Sequence, residues 1–525
     1  MPTKIRDLKG QHFDRGRLQR CNYGVIENHA PSGANRKYQR ILLISPPATL
    51  FRGDLPRCTY PLGLGYIASV LEMNGYTVRI LDCLVEGYEQ QTALEDDAEF
   101  VTYGLSSDQI AAEIKSFGPD VVGVSSIFSN QADVVADVFR VACQVCPAAK
   151  LVTGGAHARY YPTNYLEDLG LDAVFIGESE ASFLTYLEAL NGSGDITQIS
   201  NAVIRDGDKI RTSSTMTLIK RKRVDSAGHW AEIDDIPYPA WHLYSMEKYF
   251  TIGAYQSPYT VGHRVGQIYT SRGCTAKCTF CTTTNFWGGK LRRRSPGNVI
   301  GELQTLKQQY NIDEFHIQDD NVTNDKAHAK ALFTGLKAVG LPWCTPAGTA
   351  LWRMDEELLD LMVQSGCYQV TFSVESGVQR VLTDLIQKPL NLTRTKHLIE
   401  YARGVGISVH GFFILGMPPM FGHPGETIEE MHRTFDFAQE SGFDSASFFT
   451  ATPIIGSALL TECLRQGFVE PATPLHQMSY KQGLITVPGF WDGREVAGLA
   501  ATFNRTFNAG KRRRNVKREW SSVQY

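Results

Sequence analysis

Two long tracts of this chain alternate short β-branched apolar runs with stretches of helical spacing, and few folds accept that alternation. In the first tract Arg40–Ser45 reads as a strand stopped by Pro46 and Pro47. Leu62, Leu64, Ile67, Val70 and Leu71 then recur at helical intervals before Asn74-Gly75. Further strands are expected at 77–81, 121–125, 150–153 and 173–176, with a helix over 131–145. Runs that are apolar throughout are buried on both faces, so they indicate a parallel sheet covered by helices. Residues 38–190 are therefore expected to form a doubly wound, Rossmann-like α/β domain whose ligand lies beyond the carboxyl ends of its strands. Those ends carry Ser125, Ser126, Gly154, Gly155, His157, Gly177 and Glu178. Glycine there lets a bulky ligand approach the backbone. No G-x-G-x-x-G follows the first strand, which argues against a dinucleotide.

The second tract, residues 263–495, repeats the pattern. Strands are legible at 267–270, 314–318, 369–374, 409–415 and 447–450, and the β/α repeat suggests a partial (β/α)6 barrel with functional loops at one rim. The rim positions include Asp319, Asp320, Glu375 and Gly416. Residues 191–262 read as a linker containing a hairpin turned at Asp206-Gly207 and a proline-rich stretch, Asp234–Trp241. Residues 1–37 read as an arm without a core, and 496–525 as a basic C-terminal tail ending beyond Lys511-Arg512-Arg513-Arg514.

At the first rim position of the second tract stand Cys274, Cys278 and Cys281, spaced C-x3-C-x2-C. Three thiolates can hold three irons of a [4Fe–4S] cluster and leave the fourth open to a small chelating molecule. Structural zinc would want four ligands in two pairs. Lys290-Leu291-Arg292-Arg293-Arg294 follows as a basic patch suited to a phosphate or phosphonate, or to a solvated face. Cys143 and Cys146 fall in a helix among Val138, Val141 and Val145, where they read as small buried hydrophobes.

Composition narrows the class. A net charge of -3 argues against a general nucleic-acid binder, and no apolar run is long enough to span a membrane. Eleven cysteines, an odd number scattered over 525 residues, fit a reducing cytoplasm better than a disulfide framework.

The cysteine spacing, with Phe280 just before the last cysteine, resembles the radical SAM superfamily. An α/β domain directly ahead of it resembles the cobalamin-dependent radical SAM methylases. The resemblance implies a [4Fe–4S] cluster on the three cysteines, S-adenosylmethionine (SAM) on the open iron, and methylcobalamin in the first domain. It implies SAM contacts from Phe280, Asp319 or Asp320, Glu375 and Gly416, and cobalamin contacts from the first domain's loops. The Asp-x-His-x-x-Gly motif that supplies a histidine to cobalt in other cobalamin proteins is absent, so no protein histidine is expected on cobalt. Four stretches, 125–131, 255–260, 282–287 and 315–321, resemble the branch of fosfomycin biosynthesis that methylates carbon 2 of cytidylyl-2-hydroxyethylphosphonate. That branch implies a cytidylylated phosphonate substrate, an external donor such as flavodoxin or ferredoxin, and radical chemistry borne by the cofactors without a catalytic acid or base. A methylase or cyclase acting on a tetrapyrrole or another natural product is the alternative.

Overall fold

The computed structural model describes residues 21–24, 36–213, 216–221, 223–470 and 473–509. Most of the arm and Lys511–Arg514 lie outside them. The first tract builds a sheet from β1 (Arg40–Ser45), β2 (Thr77–Asp82), β3 (Val121–Ser125), β4 (Lys150–Gly154), β5 (Ala173–Phe175), β6 (Ala202–Asp206) and β7 (Lys209–Thr212), in the order β7-β6-β5-β4-β3-β1-β2. The five strands β1 to β5 pair in parallel. Ile41, Val121, Val122 and Val174 are fully buried, as strands covered on both faces should be.

The hairpin expected in the linker is present, but it is not a separate bridge. β6 pairs antiparallel with β5 and extends the sheet, because Ala202, Val203 and Ile204 are apolar enough to be buried there. A small antiparallel sheet of Ala48–Phe51, Phe100–Tyr103 and Gln91–Ala93, absent from the sequence reading, flanks the domain.

The second tract forms six parallel strands in chain order: β8 (Val265–Ile268), β9 (Glu314–Ile317), β10 (Trp343–Thr349), β11 (Cys367–Glu375), β12 (Ser408–Leu415) and β13 (Ser445–Thr450). β10 is the strand that eluded the sequence reading. Pro346 and Gly348 interrupt its pattern, and its register with β11 shifts between Thr345 and Thr349. No helix among the described residues is long and apolar enough to cross a membrane.

Two further expectations are corrected. Residues 496–508 are not tail: they belong to the helix Gly493–Asn508, which buries Val496, Ala500, Phe503 and Phe507. Its Asn504 and Asn508 accept from and donate to the backbone of Phe448 and Ala446, sealing the open edge of β13. Cys143 is exposed rather than buried, and the half-buried Cys146 thiol donates to the Pro119 carbonyl, because the helix turns that face outward as it ends.

The linker's remaining residues form the joint between the halves. Tyr60 stacks on Tyr249 with ring centroids 4.1 Å apart, and Trp241 and Tyr244 close round it edge-on. Tyr60 also donates its backbone N–H to Gln267 of β8 and its hydroxyl to the Val265 carbonyl, fastening the first domain to the barrel's opening strand.

Candidate active site

The cluster loop leaves the end of β8 through a two-residue ribbon, Ser271–Arg272 against Arg292–Arg293. Gly273 has φ +96°, and a Cβ there would lie 2.1 Å from the Lys290 carbonyl oxygen, so only glycine makes this turn. Behind the loop, the Thr279 N–H and hydroxyl donate to the carbonyls of Ile386 and Leu385 in a π-helical turn, Val381–Ile386. In front, Thr284 donates to the Ala276 carbonyl.

These clamps hold Cys274, Cys278 and Cys281 half-buried on one side of the loop. Burial raises the pKa of all three thiols, that of Cys278 to about 12, and their charges also oppose one another at Cys278. Three buried thiolates with too little compensating charge fit a cationic iron core, whose binding would displace their protons. Neighbouring groups favour the anionic form of each sulfur. The Lys388 ammonium acts on Cys274 and Cys278, and the Thr283 N–H donates to Cys281 Sγ at 3.4 Å.

The SAM residues suggested by the resemblance separate into those that face the loop and those that the fold consumes. Phe280 is half-buried against the core. Asp319 is corrected: both its oxygens are taken, by the Thr270 N–H and hydroxyl and by the Ser271 hydroxyl, each at 2.6 Å. Burial raises its carboxyl to about pKa 6. Its neighbour Asp320 is exposed at the rim, accepting from the Gly273 N–H and the Thr283 hydroxyl. Glu375 ends β11 at φ +73°, an uncommon conformation for a residue with a side chain, and pairs with Lys388 at 2.7 Å. Gly416 also serves packing. Its missing side chain leaves room for Val496, 2.9 Å from where a Cβ would stand.

Two residues passed over in the sequence belong here. Lys388 is a buried lysine in a loop without a motif, 5.6 Å from the Trp352 ring. Glu426 is fully buried and accepts from the Gly416 and Met417 N–H groups, fixing the turn after β12. Burial raises its carboxyl to about pKa 8.

On the first domain's side the glycines also serve packing. A Cβ on Gly155 would meet the Ser126 carbonyl oxygen at 2.4 Å, and one on Gly177 would meet Asn201 at 2.9 Å. Ser126 is buried with its hydroxyl on that of Tyr165, while Ser125 and Gly154 are half-buried. His157 points inward: 1 % exposed, it bonds the Ser129 hydroxyl and packs against Tyr161 and Tyr165. Burial lowers its pKa to about 3, so it is neutral, and its Nε2 meets no hydrogen-bond partner. Glu178 is consumed too. Its carboxylate holds Arg272 at 2.7 Å, Arg292 at 2.6 Å and the Ile219 N–H at 2.5 Å. What the first domain does expose at the rim is apolar: Ile127 and Phe128 are 47 % and 58 % accessible.

The three arginines of the basic patch are turned inward onto acids. Arg292 is wholly buried on Glu178, Arg293 pairs with Glu232 and Asp325, and Arg294 pairs with Glu302 at 2.6 Å. Glu178 and Glu232 come from segments 114 and 61 residues away, and Glu302 from the helix that follows the patch.

The two rims meet across this region. The Arg159 guanidinium lies 6.0 Å from the Phe286 ring, Asn285 donates to the Gly456 carbonyl, and Tyr160 occupies the space a side chain on Gly456 would need. Tyr480, 54 % exposed, rests on Phe449.

Comparison with known proteins agrees with this geometry. Residues 49–187 match the B12 binding domain, and 268–438 match the radical SAM superfamily. The cytidylyl-2-hydroxyethylphosphonate methyltransferase of Streptomyces wedmorensis is 58 % identical over 514 residues, 96 % of each chain. An uncharacterised methyltransferase of Pyrococcus horikoshii is 29 % identical, over 81 % of this chain and 83 % of that one. Among solved structures, the radical SAM methyltransferase TsrM from Kitasatospora setae, with cobalamin and a [4Fe–4S] cluster bound, shares the fold with TM-score 0.62 and 18 % identity, over 86 % of this chain and 76 % of that one. The chain, with its cluster loop and cobalamin domain facing each other, belongs to the cobalamin-dependent radical SAM methyltransferases.

Proposed function

We propose that this enzyme transfers one methyl group to carbon 2 of cytidylyl-2-hydroxyethylphosphonate, giving cytidylyl-2-hydroxypropylphosphonate. The observation that carries the substrate is the relationship to the Streptomyces wedmorensis enzyme, 58 % identical over 96 % of each chain. When bound, the cluster, SAM and methylcobalamin supply the electron, hydrogen abstraction from an unactivated carbon, and the methyl group.

The chain's own part is to hold, orient and shield. Cys274, Cys278 and Cys281 ligate the cluster, and Lys388 offsets the charge of their sulfurs. Asp320 accepts from the SAM amine and Glu375 from its ribose, with Phe280 beside the adenine. Ile127 and Phe128, exposed and apolar, would offer the corrin an apolar wall. Ser125 and Gly154 border it. With Arg292, Arg293 and Arg294 committed elsewhere, Arg159 brings positive charge to the rim for the anionic substrate. A reducing cytoplasm and a flavodoxin- or ferredoxin-type donor complete the reading.

The test is anaerobic turnover of the reconstituted enzyme with methyl-labelled SAM. Cytidylyl-2-hydroxyethylphosphonate should gain one label with formation of 5′-deoxyadenosine, and free 2-hydroxyethylphosphonate should not. Methylation of some other substrate, with neither phosphonate labelled, would overturn the substrate while leaving the methylase class intact.

A further inference from the structure

Among the described residues, the aromatic side chains of β12 and β13 sort onto two faces. Phe413 and Phe448 are buried, and Phe448 packs against Phe435 and Phe503 of the outer helices Ile428–Glu440 and Gly493–Asn508. Neighbouring residues on a strand point to opposite faces, so Phe412 and Phe449 face the barrel interior. They are only half-buried there, although His410 and Ser447, one step lower on the same face, are buried. The interior is therefore open at the height of these two rings.

The aromatic wall continues past the strands. Ring centroids of Phe412 and Phe449 lie 5.5 Å apart, and those of Phe449 and Tyr480 lie 5.6 Å apart. The Tyr480 carbonyl accepts from the N–H and the hydroxyl of Thr450, the last residue of β13, each at 2.9 Å. These bonds fix the backbone while the side chain is left 54 % exposed. Two further links show where the ring stands. In the segment that leaves β13, the Leu459 N–H donates to the carbonyl of Thr279, the residue after Cys278. On the other side, Lys481 pairs with Asp54 of the first domain at 2.6 Å. Tyr480 thus stands at the mouth of the barrel, between the cluster loop and the cobalamin domain.

We propose that Tyr480 is the platform on which the substrate's cytosine base stacks, with Phe449 and Phe412 backing it. This rests on the cytidylylated phosphonate read above as the substrate. A flat π surface left bare in a site that excludes water suits a planar, uncharged ring. Three such groups enter the proposed reaction. The corrin is assigned to Ile127 and Phe128 and the adenine to Phe280, which leaves the cytosine for the one exposed aromatic on the barrel's side of the cleft. Anchored there, the nucleotide acts as a handle that orients the phosphonate arm carrying carbon 2.

The test is methylation of cytidylyl-2-hydroxyethylphosphonate by the reconstituted wild type, Tyr480→Ala and Tyr480→Phe, with iron and cobalamin contents measured in parallel. Tyr480→Ala should raise KM about tenfold or more while both cofactor contents stay at the wild-type level. Tyr480→Phe keeps the ring and should recover most of that loss. An alanine variant with full cofactors and an unmoved KM overturns the proposal. So does a phenylalanine variant as impaired as the alanine one, because the hydroxyl and not the ring would then hold the substrate. The wild-type enzyme gives a second readout that needs no variant. 5-Iodocytidine 5′-monophosphate irradiated in complex with it should form an adduct that maps to Tyr480, and an adduct confined to other residues overturns the assignment. Failure of the wild type to methylate the cytidylyl compound strikes the substrate reading, whereas normal wild-type turnover with an unmoved alanine variant strikes Tyr480 alone.

Discussion

Replacing Cys274, Cys278 and Cys281 together with alanine should abolish cluster iron and SAM cleavage while the chain still folds, because clamps at Gly273, Thr279 and Thr284 hold the loop independently of the sulfurs. Iron analysis and circular dichroism check the two halves of that statement. His157 supports a second expectation. Since its ring is sealed against Ser129, Tyr161 and Tyr165, the EPR spectrum of the cob(II)alamin form should lack splitting from a protein nitrogen, and His157→Ala should leave it unchanged. A nitrogen splitting that vanished in the variant would place His157 on cobalt.

Among the elements, the turn after β12 depends on one neutral acid. Glu426 is buried with its pKa raised to about 8, so the folded state holds its proton more tightly than the unfolded chain does. Its contribution to stability is therefore complete below the unfolded value, near pH 4.5, and is lost as pH rises through about 8. Glu426→Gln keeps a neutral acceptor at every pH. Denaturant unfolding should show the wild type losing stability relative to the variant between pH 5 and 9; parallel curves would contradict the assignment. The helix Gly493–Asn508 makes a comparable demand. Removing residues 493–525 uncovers the edge of β13 and the aromatic cluster around Phe503, so the product should aggregate, whereas removing 511–525 should not. Light scattering distinguishes the two outcomes.

Across the whole molecule, the ion pairs of Glu178 with Arg272 and Arg292 tie the first domain to both strands of the ribbon that carries the cluster loop. Burial alone would raise the Glu178 pKa, but the two guanidiniums outweigh it and hold the carboxyl below the usual glutamate range. Removing one partner leaves buried charge uncompensated, which typically costs about 3–5 kcal/mol. Glu178→Ala should lower the unfolding midpoint accordingly and reduce cluster retention as well, since the ribbon loses its anchor. A variant with wild-type stability would show that the pairs do not couple the halves. Cobalamin and cluster must face each other at a set separation, and this joint is well placed to maintain it.

Periodicity and spacing are local properties, and what depends on them could be read directly from the chain. Apolar runs such as Val121–Ser125 and Val409–Leu415 announce buried parallel strands, and three cysteines within eight residues announce a cluster whatever surrounds them. Even there, one proline and one glycine hid Trp343–Thr349, because a strand bent by bulges loses its pattern. Partnership is a different kind of property. Arg292 and Arg293 look the same in sequence whether they face water, a phosphonate or buried acids; only folding brings up Glu178 and Glu232 from 114 and 61 residues away. The same holds for Asp319, whose carboxylate holds the loop, and for Lys388, which carries no motif and gains its place from segments packed around it. A charge or an amide acquires its role from its desolvation and its neighbours, and both are set by long-range packing.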